Sequence, residues 1–121
     1  MKLKYAVSAA LTAMLVAALL FVSATRAEVA PRRIEVTAKR FAFAPGEITL
    51  KRGEPVVLVL KSTDVAHGIR IKELGVEVKV GKGQSKEVAF TPSKTGTFVA
   101  HCSVFCGSGH GSMALTVHVV D

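Results

Sequence analysis

The residues with the most chemistry are gathered in one run, Cys102-Ser103-Val104-Phe105-Cys106-Gly107-Ser108-Gly109-His110-Gly111-Ser112-Met113. It holds both cysteines of the chain, one of its four histidines and one of its three methionines. Thiolate, imidazole and thioether form a soft donor set, which favours copper over magnesium, calcium or manganese. The spacing is short enough for one loop to close around a metal. Cys106, His110 and Met113, spaced C-x3-H-x2-M, need one remote histidine to complete a mononuclear blue-copper site with a weak axial Met. His67, at a strand start after Val65-Ala66, is the candidate. Cys102 then stands as one thiolate more than that site needs. Two thiolates four residues apart allow two sulfurs to bridge a pair of coppers, with one histidine for each metal.

The elements that must position this loop begin after an export segment. Lys2 and Lys4 precede an uncharged, mostly apolar stretch from Tyr5 to Thr25, and Arg26-Ala27 follows. Residues 1–27 therefore read as a signal peptide, with cleavage after Ala24 or Ala27, or as an N-terminal membrane anchor. Either reading places the rest of the chain outside the cytoplasmic membrane, in the periplasm or on the membrane's outer face. Residues 28–33 are expected as a linker and 34–121 as one domain. The whole chain carries +7; Lys2, Lys4 and Arg26 account for three of its 16 basic residues, leaving 13 against 9 acidic ones, a net +4. These cations are scattered along strands (Lys39, Lys51, Lys61, Lys79, Lys86) without the aromatic interleaving of a nucleic-acid surface. No nucleic-acid partner is expected, only a modest preference for acidic ones.

Two cysteines in an oxidising compartment ordinarily suggest a disulfide. A bridge closing so short a loop gains little chain entropy, and the adjacent His and Met favour ligands over a structural bridge.

The domain reads as short strands throughout. Ile34, Val36 and Ala38 alternate with Glu35, Thr37 and Lys39, and Phe41 and Phe43 are expected to continue the apolar face. Ile48 and Leu50 follow the Pro45-Gly46 turn. Val56 to Leu60 is a continuous apolar run that suits a strand covered on both faces. A strand beginning at His67, the Val76-Val78-Val80 alternation, Val88 to Phe90, Phe98 to Ala100 and an inward Leu115-Val117-Val119 set complete the series. No segment after residue 30 has a 3.6-residue apolar period. The fold class is all-β, a Greek-key sandwich or small barrel behind the N-terminal hydrophobic segment.

The Cys102–Met113 run resembles the binuclear CuA motif of cytochrome c oxidase subunit II, a cupredoxin, also found in nitrous oxide reductase. Ser62-Thr63-Asp64-Val65-Ala66-His67-Gly68 is similar to that family's segment around its first ligand histidine. The resemblance spans most of residues 34–120. It implies a cupredoxin fold and two copper ions, with Cys102 and Cys106 bridging and His67 and His110 each binding one metal. It further implies a weak Met113 ligand and a contact from the Val104 carbonyl. The implied role is electron relay without bond chemistry, from a cytochrome or copper-protein donor to the catalytic subunit I of a haem-copper oxidase. Many relatives carry an acidic residue at the position of Val104, which can supply only its carbonyl, and aromatic residues including Trp on the electron-entry path, whereas this chain has no Trp. Phe105, Val104 and Phe98 are expected to exclude water from the metals, and Gly107, Gly109 and Gly111 to permit close backbone approach.

Other readings compete. A free-standing mononuclear cupredoxin leaves Cys102 spare. A periplasmic copper carrier for oxidase assembly uses the same ligands without fast electron exchange. Structural zinc is disfavoured because Met is a poor zinc ligand, and 121 residues leave no room for the second copper domain of a nitrous oxide reductase. His101 is expected to be exposed or to sit behind the ligands, and His118 to face solvent. Asp64 and Glu73, with no paired carboxylate, are given no acid–base role, and no catalytic residues are expected.

Overall fold

The computed structural model describes residues 30–121. The expected signal peptide or anchor, 1–27, lies outside the described residues, as do the first two positions of the expected linker. Among the described residues no helix is long and apolar enough to cross a membrane.

Nine strands account for the domain: β1 (Arg32–Lys39), β2 (Ala42–Ala44), β3 (Glu47–Lys51), β4 (Val56–Ser62), β5 (His67–Ile71), β6 (Val76–Val80), β7 (Ser85–Phe90), β8 (Gly96–Cys102) and β9 (Ala114–Val120). Short 3-10 turns at Lys72–Leu74 and His110–Ser112 are the only helical pieces among the described residues. β1 takes up at Arg32, inside the expected linker, because Arg32 already pairs in register with Val56 and donates its N–H to the Pro55 carbonyl (3.1 Å).

The strands form two sheets, β2-β1-β4-β7 and β3-β9-β8-β5-β6. β1–β4 and β3–β9 are parallel, and the remaining pairs are antiparallel. The chain repeatedly crosses from one sheet to the other, which is the Greek-key sandwich expected from the pattern of short strands. Alternation decides which residues face inward. Val36 and Ala38, Leu58 and Leu60, Ile69 and Ile71, Val76, Val78 and Val80, and Leu115, Val117 and Val119 meet in one core. Thr116, His118 and Val120 face outward, as expected of the last strand.

Two details depart from the pattern. β4 is buried on its inner face, while on its outer face Val57 is only half-buried and Val59 is buried. The register neighbours of Val59 are Glu35 and Glu87, each ion-paired to a basic side chain, Lys61 and Arg33. The aliphatic stems of such pairs shield an apolar neighbour. Phe43 joins the core, but Phe41 is 37% exposed, because Arg40 and Phe41 form the turn between β1 and β2 rather than strand.

The topology gives the sandwich two distinct ends. At one, Arg52 N–H bonds the Val120 carbonyl (2.8 Å) and Gly53 N–H the Pro92 carbonyl (2.8 Å). At the other, the last residue of β8 is Cys102, the first of β5 is His67, and Met113 leads into β9. The loop's chemistry is thus set against the end of a fully packed core. Leu60, fully buried near that end, is expected to lose ~2–5 kcal/mol of stability on Leu60→Ala, read from denaturant unfolding of the metal-free chain.

Candidate metal centre

The stems of the loop are fixed by backbone bonds. Cys102 N–H bonds the Met113 carbonyl (3.2 Å), and Ser103 N–H bonds the Gly68 carbonyl (3.1 Å), so both ends of the loop and the start of β5 are held together. Inside the loop, His110 N–H reaches the Gly107 carbonyl (3.1 Å) and Met113 N–H the His110 carbonyl (3.2 Å). That 3-10 turn points His110 back toward the cysteines.

The side chains read as ligands in the sequence converge. Cys102 Sγ and Cys106 Sγ lie 3.8 Å apart, both buried and unbridged. A disulfide needs about 2.05 Å, so the thiols stand as separate donors. His67 Nδ1 faces Cys102 Sγ at 3.8 Å, while His110 Nδ1 faces Cys106 Sγ at 3.6 Å. The ligand atoms of His67, Cys102 and Cys106 all lie within 4.8 Å of one another. Met113 Sδ is 3.8 Å from Cys106 Sγ, and the Val104 carbonyl is 3.1 Å from Cys102 Sγ. The result is two thiols side by side, each with its own imidazole and its own weaker donor.

The donor set fits soft metal and little else. Cys106 is buried, and burial first, then the hydrogen bond and charge of Cys102, push its thiol pKa up, while the Arg40 guanidinium pulls the other way. Two adjacent thiolates in a dry site repel unless a cation lies between them. A metal that binds here must displace protons, so binding falls as pH falls.

Three residues that sequence reasoning did not assign complete the site. Asp64 Oδ1 sits 2.7 Å from His67 Nε2, which leaves Nδ1 free to face the thiols. The carboxylate also accepts N–H bonds from Arg40 and Val65, each 2.7 Å. Carboxylates behind a ligand imidazole fix its orientation and raise its basicity. Asp64 stands three residues before His67, a D-x-x-H spacing that a search for paired carboxylates overlooks. Arg40 Nε donates to the Cys106 carbonyl (2.8 Å), and the Phe41 ring lies against Gly107 and Gly109. A methyl group on Gly109 would come 2.5 Å from Phe41 Cδ2, and one on Gly107 2.9 Å from its Cε1. Gly107 also has φ +137°, a left-handed conformation that disfavours other residues.

Some expectations are corrected. Phe105 does not shield the site: it is 79% exposed and tilts against His110 with ring centroids 5.6 Å apart. The ring of Phe98 folds over Gly96, at the far end of β8 from Cys102. Gly111 has open space around its Cα, so no close approach requires a glycine there. His101 is exposed and lines a groove with Arg70, Lys72 and Glu73. His118 makes an outer-face contact with Thr97 Oγ1 (3.1 Å) and lies 3.3 Å from Glu47 Oε2.

Comparison with known proteins bears on the family and the fold. The model of the cupredoxin-like domain family matches residues 11–115. Cytochrome c oxidase subunit 2 of Thermus thermophilus is 30% identical over 88 residues, covering 73% of this chain and 65% of that protein. The chain therefore spans less than two thirds of that relative's length. Among solved structures, the periplasmic domain of cytochrome oxidase subunit II (CoxB) of Bradyrhizobium japonicum superposes with a TM-score of 0.68 at 22% identity, over 77% of this chain and 86% of that one. Reduced auracyanin of Roseiflexus castenholzii superposes with a TM-score of 0.64 at 21% identity, over 77% of this chain and all of that one, 100%. At these identities the structural likeness concerns the fold.

The Asp64 carboxyl has its pKa lowered from 3.8 to about 2, first by the Arg40 N–H bond and then by His67. A lowered native pKa stabilises the fold above the ordinary value and loses that contribution as pH falls. The stability gap between wild type and Asp64→Asn, measured by denaturant unfolding of metal-free chain, is expected to narrow as pH drops from 4 toward 2.

Proposed function

From a chain that belongs to the cupredoxin-like family, with two facing thiols where a single blue copper uses one, we propose a binuclear copper electron-transfer domain. His67, Cys102, Cys106, His110 and Met113 would hold the metals through their side chains, and Val104 through its carbonyl. The observation that carries this reading is the pairing: each imidazole Nδ1 addresses a different thiol, and the sulfurs lie 3.8 Å apart. A mononuclear site would leave Cys102 without a purpose, although it is buried and held by the backbone at both ends of the loop.

When bound between these donors, a pair of coppers would supply a one-electron store, with its charge shared between the two metals and the Cys102 and Cys106 sulfurs that would hold them. The chain's own part is to keep the donors still. Cys102 and Met113 sit at strand ends, His67 is locked by Asp64, and the loop is tied to β5 through Ser103 and Gly68. Donors that need not move between charge states keep the rearrangement on electron gain and loss small. The buried thiols and the core beneath them exclude water from one side, while half-buried His110 and exposed Phe105 bring the site close to the surface.

The donor is read as a cytochrome or another copper protein, and the acceptor as the catalytic subunit of a haem-copper oxidase. The likeness to oxidase subunit II supports that assignment, and the apolar run of the sequence ahead of the domain supports reading it as exported, to the periplasm or the outer face of the membrane. The role is read as electron relay, in which the thiols and imidazoles of the metal end serve as donors to the metals.

Copper reconstitution tests the reading. Two coppers per chain are expected, with an EPR hyperfine pattern of one electron shared by two copper nuclei. Cys102→Ser is expected to abolish that pattern and lower the stoichiometry. One copper per chain with a single-nucleus pattern, and a blue colour untouched by Cys102→Ser, would leave a mononuclear cupredoxin. Rapid loss of Cu(I) to an apo-oxidase, without electron exchange with a cytochrome, would leave a copper carrier.

A further inference from the structure

The copper site is built from two parts far apart in sequence: the turn carrying His67, and the Cys102–Met113 loop. One residue bonds to both. Arg40 N–H donates to Asp64 Oδ2 (2.7 Å), the carboxylate whose other oxygen holds His67 Nε2 (2.7 Å). Its side-chain Nε donates to the Cys106 carbonyl (2.8 Å), 66 residues away. Its neighbour Phe41 lies on the same loop, in contact range of Gly107 and Gly109. Beside it, Thr63 N–H bonds the Ala38 carbonyl (3.2 Å), so the end of β1 is tied to the same turn that carries Asp64.

We propose that Arg40 is a positioning residue, which with Phe41 staples the ligand loop to the turn of the remote histidine and keeps a positive charge beside Cys106. This rests on the copper reading above. Two effects follow from different parts of the side chain. The Nε–H bond and the Phe41 contact hold the loop shut, with or without metal. The guanidinium charge, close to Cys106, favours the reduced and less positive state of a bound centre, and so raises its reduction potential. Arg40 touches neither metal nor redox partner in this role; it acts through Cys106 and Asp64.

Three variants of the full chain separate position from charge: Arg40→Met removes donor and charge, Arg40→Gln keeps a donor without charge, and Arg40→Lys keeps the charge. In the metal-free chain, amide hydrogen exchange is read at His110, Ser112 and Met113, whose N–H groups bond within the loop. Exchange there is expected to quicken at least tenfold in Arg40→Met, less in Arg40→Gln, with the β4 and β9 amides unchanged. Phe41→Leu is expected to quicken the same amides without moving the potential. In the copper-loaded chain, the potential is expected to fall in Arg40→Met and Arg40→Gln and to stay near wild type in Arg40→Lys. Exchange within twofold of wild type in Arg40→Met, together with an unmoved potential, would overturn the proposal. A wild-type chain that binds a single copper would instead overturn the binuclear reading, and the metal-free exchange result would still decide the staple.

Discussion

The constraint on which the rest of this structure depends is the closeness of two buried thiols. Sulfur atoms 3.8 Å apart at the dry end of a sandwich are poor partners for each other as thiolates, since charge without water or counter-ion is strongly disfavoured. The upward push on the Cys106 thiol expresses that conflict. A soft cation between them removes it, and only a scaffold that cannot spread can keep the sulfurs waiting at that distance. The placement of the strands follows from this need. β8 delivers Cys102 directly from the core, β9 receives the chain immediately after Met113, and a 3-10 turn at His110–Ser112 closes the loop between them.

The remote histidine shows how the sandwich solves the other half of the problem. His67 opens β5, and the next inward residue of that strand, Ile69, lies opposite Cys102 in the register of β5 and β8. A buried imidazole needs its second nitrogen satisfied. Asp64 meets that need, and its own charge is in turn held by backbone N–H groups of Arg40 and Val65. The chain of bonds runs outward from ligand to carboxylate to turn, each step less buried than the last. Order at the metal end therefore comes from both sheets, since β1 and β2 belong to one and β5, β8 and β9 to the other.

Much of this could be read in the sequence because it depends on local period and spacing. The alternation in Ile34–Lys39, Val76–Val80 and Leu115–Val119 reports which side faces the core, and the C-x3-H-x2-M spacing reports a loop of ligands. What stayed hidden depends on contacts between distant residues or on the direction of one side chain. Arg40 meets Cys106 across 66 positions and leaves no local pattern. Phe41 continues the apolar alternation on paper, yet it sits in a turn and is claimed by two glycines of the ligand loop. Phe105 is flanked by apolar and cysteine residues and reads as a shield, but backbone direction sends its ring to solvent. Composition alone could not distinguish these cases, because a phenylalanine beside a ligand is equally consistent with lid, core and surface.

The outward ring of Phe105 bears on how such a site would exchange electrons. Electron transfer weakens steeply with distance, so a centre sealed on every side would be stable but slow. Here the core buries His67, Cys102 and Met113, while His110 is only half-buried and packs against an exposed Phe105 ring. The asymmetry gives the two ends of the centre different tasks. The His67 end is carboxylate-backed and shut away from solvent; the His110 end is thinly covered and presents an aromatic surface one residue from Cys106. Rigidity and access, which oppose each other in a single ligand, are divided between two histidines that address two different sulfurs.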